Sequence, residues 1–83
     1  MDKIKIYGTT WCGTSRRVVR TFDEYRIDYD FIDIDQDPEG EKLVIETNNG
    51  FRSVPTIFFP DGSVLVEPRN QVLIDKLESL GEA

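Results

Sequence analysis

The chain has 83 residues, 39% of them hydrophobic and 31% charged, which fits one small domain spanning 1–83 with a single core. Sixteen acids against 10 bases and no histidine leave a formal net charge of −6. That balance argues against electrostatic binding to nucleic acid or anionic membranes, and it removes imidazole as a base or metal ligand.

The opening residues MDKIKIYG lack the apolar run of a signal peptide or membrane span. Ile4-Lys5-Ile6-Tyr7 alternates and stops at Gly8, so a short strand is predicted. From about Thr14 the period changes. Val18, Val19, Phe22 and Tyr25 fall three and four apart, with Arg16, Arg17, Arg20, Asp23 and Glu24 between them, the pattern of an amphipathic helix. Tyr29 to Ile34 alternates again and predicts a second strand. Asp35-Gln36-Asp37-Pro38 then starts a helix with Pro38 in its first turn and Leu43, Val44 and Thr47 as its apolar or neutral positions; Asn48-Asn49-Gly50 ends it. Val54–Phe59 and Ser63–Val66 read as a hairpin around Pro60-Asp61-Gly62. Asn70 is placed to cap a last helix with Leu73, Leu77 and Leu80 on its inner face. The order β-α-β-α-β-β-α predicts an α/β fold: a right-handed parallel unit extended by a hairpin, with helices on both faces of a mixed sheet.

The single cysteine, Cys12, falls in the loop before the first helix. A single cysteine makes no internal disulfide, and a reducing cytoplasm is the expected setting. Unpaired backbone N–H groups at the helix start, with Arg16 and Arg17 about one turn on, favour the thiolate over the thiol. A buried core cysteine is the plainer alternative, but the neighbours Trp11, Gly13 and Thr14 form a turn rather than an apolar run. Ser15 stands where a Cys-x-x-Cys motif carries its second sulfur. Its hydroxyl can hydrogen-bond to the Cys12 sulfur or simply cap the helix, but it cannot attack a mixed disulfide. A disulfide formed at Cys12 must therefore be resolved by an outside thiol. The acids Asp28, Asp30, Asp33, Asp35 and Asp37 lack calcium-loop spacing and read as a solvated strand and turn.

The strand, "WCGTS", helix, "SVPTIFF" and "DGS" together resemble the glutaredoxin branch of the thioredoxin fold, and are similar to short bacterial glutaredoxin-like proteins and mycoredoxins. The likeness in element order covers nearly the whole chain. Its two sharp motifs are Trp11-Cys12-Gly13-x-Ser15 and Ser53-Val54-Pro55-Thr56. The resemblance implies a four-stranded mixed sheet flanked by three helices and a cis bond before Pro55. It also implies that the Val54 backbone pairs, strand-like, with an incoming cysteine. By the same likeness Arg52 matches a position that reads a carboxylate of glutathione, and Trp11, Gly13 and Thr14 line the substrate groove. Thr9 stands where many glutaredoxins have lysine. Val66-Glu67-Pro68-Arg69-Asn70 replaces the usual Gly-Gly and Cys-Asp, leaving Arg69 and Asn70 to serve at that helix start by position.

The resemblance implies a monothiol thiol–disulfide oxidoreductase working in electron transport and cell redox homeostasis. Cys12 is its nucleophile and Ser15 its partner. No cofactor or metal is expected to be bound. The co-substrate is glutathione or another low-molecular-weight thiol such as mycothiol, and the partners are protein mixed disulfides met by a monomer. Three alternatives stay open. One is an iron–sulfur cluster carrier with Cys12 as ligand, suggested by Cys-Gly-x-Ser. The second is a redox-inactive interaction domain. The third takes Ser15 as the replacement of a resolving cysteine.

Overall fold

The computed structural model describes residues 3–81, so the ends of the expected 1–83 domain (residues 1, 2, 82 and 83) lie outside the described residues. In chain order the elements are β1 (Ile4–Gly8), α1 (Gly13–Glu24), β2 (Tyr29–Asp33), α2 (Pro38–Thr47), β3 (Thr56–Phe58), β4 (Val64–Val66) and α3 (Asn70–Gly81). The four strands form one sheet in the order β2-β1-β3-β4. β1 and β2 are parallel, paired from Ile4–Tyr29 to Gly8–Asp33, as a crossover through a helix requires. β3 runs antiparallel to both β1 and β4. It begins two residues later than the predicted run Val54–Phe59, since Pro55 has no N–H to give a ladder.

Local chemistry sets the helix ends. The Asp37 carboxylate accepts the Gly40 N–H at 3.1 Å and Pro38 occupies the first turn, so α2 starts with both a cap and a preset φ. Asn49 and Gly50 leave the helix with positive φ, and the Gly50 N–H closes onto the Ile45 carbonyl at 2.8 Å.

Two apolar clusters sandwich the sheet. On one face α1 and α3 contribute Val18, Phe22, Leu73 and Leu77, all 0–1% exposed, against Ile4, Ile6, Ile57 and Phe59. On the other, Val44 of α2 packs against Tyr7 and Ile34. Of the apolar or neutral positions of α2 only Val44 is buried; Leu43 and Thr47 are exposed, and Gly40 completes the inner face. A Cβ at Gly40 would come within 3.1 Å of Ile32 Cγ2 and 3.2 Å of the Tyr7 ring, so a side chain there would have to press Ile32 or Tyr7 aside. Tyr25 ends α1 as its cap residue and faces out. Among the described residues no helix is long and apolar enough to cross a membrane.

The parallel strands deliver Gly8 and Asp33 to the same end of the sheet. The α1 start follows there at once. The β3–β4 hairpin returns to that end through the pairing of Tyr7 with Thr56 and of Thr56 with Val66.

Candidate active site

Cys12 is the cap residue of α1, extended at φ −77° and ψ 124°, with its carbonyl accepting the Arg16 N–H at 3.0 Å. The thiol is free and partly buried. That burial opposes ionisation and is the largest single influence on the sulfur. The Ser15 N–H, the Ser15 hydroxyl and the Thr14 N–H together outweigh it, so the thiol's pKa is lowered, while the Glu67 carboxylate pulls the other way. None of these donors is close enough to count as a side-chain cap. A large, soft sulfur still feels them.

The arginines expected to supply this field are engaged elsewhere or turned to solvent. Arg17 donates to the Pro68 carbonyl at 3.0 Å and to the Asn70 side chain, and Arg16 is exposed. The helix start and one hydroxyl do the ionising.

Ser15 is 1% exposed. Its oxygen accepts the Thr9 N–H at 3.4 Å, which occupies its acceptor side and leaves its O–H for the sulfur. Gly8 lies directly beneath. A Cβ there would sit 2.8 Å from Ser15 Oγ and 3.2 Å from Ser15 Cβ and a Phe31 ring carbon. Gly8→Ala is therefore expected to displace the hydroxyl and raise the Cys12 pKa, at about 1–3 kcal/mol of stability. Slower alkylation at pH 7 with the plateau shifted to higher pH is the measurement; an unchanged profile would show that the hydroxyl has no part in the ionisation.

Trp11 is 65% exposed and its indole N–H donates to Asp35 Oδ2 at 2.7 Å. Asp35 also takes Arg52 Nη2, and Arg52 Nε donates to Glu41 at 2.6 Å. The Asp35 carboxyl is held below its usual range by the indole first and the guanidinium second. Arg52 thus carries two carboxylate partners of its own chain. Next, the Val54–Pro55 bond is cis, and among the described residues no backbone hydrogen bond engages the Val54 N–H or C=O. Last, Arg69 takes the cap position of α3, its carbonyl accepting the Leu73 N–H, and Asn70 is the first helical residue. Gly13 is exposed with open space around it, and Thr14 is half-buried beside the sulfur. Thr9, at the expected lysine position, is fully buried.

The residue missed in the sequence is Glu67. It sits at φ 44° with its N–H on the Pro55 carbonyl at 2.9 Å, and its charge reaches Cys12.

A family model for glutaredoxin matches residues 4–65. The chain belongs to the glutaredoxin family. Mycoredoxin 1 of Corynebacterium glutamicum is 38% identical over 80 residues, covering 96% of this chain and 99% of the relative. Among solved structures, the thioredoxin-like protein BC3987 superposes with a TM-score of 0.73 at 20% identity, over 90% of this glutaredoxin and 99% of the other chain. The buckwheat glutaredoxin–glutathione complex gives 0.70 at 24% identity, over 95% and 79%. These likenesses fix the fold as thioredoxin-like, in agreement with the four-stranded mixed sheet and three helices. As a glutaredoxin the chain is a thiol–disulfide oxidoreductase, and its one cysteine makes it monothiol.

Proposed function

We propose that this glutaredoxin removes a low-molecular-weight thiol from protein mixed disulfides, with Cys12 as nucleophile and Ser15 as the hydroxyl that holds it ionised. The Cys12 thiolate attacks the small-thiol sulfur, a new S–S bond joins the two, and the protein cysteine leaves as thiolate. A second small-thiol thiolate attacks that bond, expelling Cys12 as thiolate and releasing the small-thiol disulfide. Each exchange moves one electron pair and needs no base, in keeping with a chain without histidine. The unengaged Val54 backbone pairs with the incoming chain, Pro55, Gly13 and Thr14 shape the groove floor, and Trp11 flanks it. Arg69 and Asn70 border it at the α3 start. The whole chain works as one domain, as a cytoplasmic monomer in redox homeostasis.

The observation that carries this reading is a sulfur of lowered pKa at a helix start, at the sheet end where Val54 keeps free hydrogen-bonding groups. The small thiol is of mycothiol type rather than glutathione type. Arg52, the cation expected to read a carboxylate, is already shared by Asp35 and Glu41, and Glu67 adds a further negative charge near the sulfur. Mycothiol is a sugar thiol without carboxylates, and hydroxyls suit carboxylate acceptors. The 38% identical relative is itself a mycoredoxin.

Two measurements test the reading. Alkylation of Cys12 by a neutral reagent reports the thiolate. Because the pKa is lowered, the rate is expected to rise and level off at lower pH than the about 8.5 of a free cysteine. Turnover is then compared on one peptide capped with mycothiol or with glutathione. Faster release of mycothiol is expected; no release of either cap sinks the activity, and preference for glutathione sinks the choice of thiol.

A further inference from the structure

Glu67 adopts a backbone conformation that glycine or asparagine takes readily and that a residue before proline avoids. Tertiary contacts impose it. Its own N–H is bound to the Pro55 carbonyl, and the next residue, Pro68, gives its carbonyl to Arg17 of α1, which also holds Asn70. The turn is thereby pinned on both sides, beside Pro55 and beside the helix that carries Cys12.

The carboxylate so placed is exposed, and among the described residues it has neither a hydrogen bond nor an ion pair. Its charge works against the Cys12 thiolate. The fold thus fixes, in an unfavourable backbone conformation, an unpaired anion that hinders its own nucleophile. A cation brought by the substrate would reverse both disadvantages: it pairs with the carboxylate and lifts the opposing field as the sulfur attacks. Nearby cations of the chain leave that role open. Arg17 is bonded to Pro68 and Asn70, Arg52 to Asp35 and Glu41. Arg16 and Arg69 are exposed, and among the described residues no ion pair joins either of them to Glu67.

We infer that Glu67 is a specificity residue of the exchange at Cys12, selecting protein substrates that carry a lysine or arginine next to the disulfide-bonded cysteine. The inference rests on the functional reading above, since it concerns the substrate that reading brings to Cys12.

The test uses three synthetic peptides, each with one cysteine in a mixed disulfide with mycothiol and flanked by lysines, serines or glutamates, followed in a single turnover. The Cys12 thiolate attacks the mycothiol sulfur, an S–S bond joins the two, and the peptide cysteine leaves as thiolate, read as freed peptide thiol. With no second cysteine the reaction stops there. At low salt the lysine peptide is expected to react about fivefold faster than the glutamate peptide, and added salt to shrink that ratio. Glu67→Gln, and Glu67→Asn as a neutral residue that tolerates positive φ, should bring the ratio within about twofold, and Glu67→Lys should invert it. Asp28→Asn makes the same change in net charge at the other end of the sheet, before Tyr29, and should keep the wild-type ratio. Equal wild-type rates, or a preference that survives in the folded Asn variant, overturn the inference alone. No reaction with any peptide overturns the functional reading and the inference with it.

Discussion

Cys12→Ser is expected to lower turnover on a mixed-disulfide substrate by on the order of 10³-fold or more, while leaving the fold intact. The reasoning turns on one position serving two purposes. As a nucleophile, position 12 needs a group that ionises near neutral pH, and a serine hydroxyl stays protonated however many N–H groups face it. As a helix cap, position 12 needs a side-chain oxygen, and serine is among the best residues for that. The two properties therefore separate cleanly. The exchange disappears, while the unfolding midpoint stays or rises by the worth of a cap, about 0.5–1 kcal/mol. Turnover and thermal unfolding measured on the same sample check both halves. A variant that keeps roughly one hundredth of wild-type turnover or more would show that another group attacks the disulfide.

Phe22→Ala is expected to cost about 3–5 kcal/mol. The ring is fully buried on α1, within the cluster that joins α1 and α3 to the sheet, and it meets Tyr29 edge to face at 5.4 Å between centroids. For a chain this small the whole stability is about 4–12 kcal/mol. The loss should therefore lower the unfolding midpoint by roughly 15–30 °C. The consequence reaches the site, because α1 is the element that presents its N–H groups to Cys12. In the unfolded fraction the thiol loses those donors, so alkylation of the variant should show a slow, high-pH component growing with temperature. A loss below about 1 kcal/mol would mean that the ring's space is refilled and that α1 is held chiefly by other contacts.

Much of this was legible in the chain. Helix α1 is readable because Val18 and Phe22 stand four apart, and the sheet because the runs around Ile4 and Tyr29 alternate and the run around Thr56 is β-like. The position of Cys12 follows from the same reading, since a strand ending at Gly8 and a helix starting near Thr14 leave it in the loop. What stayed hidden was set by partners far along the sequence. Arg17 looks like a cation for the thiolate until Pro68 and Asn70 arrive to claim it, and Arg52 looks available until Asp35 and Glu41 do the same. Leu43 and Val44 read alike as apolar positions of α2, but only Val44 is buried, and Gly40 shares its inner face. Glu67 gives no local sign at all. A glutamate before proline predicts extended backbone, and only the pairing with Pro55 and the Arg17 clamp force it otherwise.

Oxygen at position 15 leaves the enzyme's covalent state with no exit of its own. A neighbouring sulfur would act at the high effective concentration of an intramolecular group, largely indifferent to its surroundings. Here release depends on collision with a molecule from the bulk, so the dwell time of the loaded form varies inversely with the supply of reduced small thiol. When that supply falls, loaded enzyme accumulates, and the fraction of chains carrying a cap becomes a gauge of how depleted the pool is.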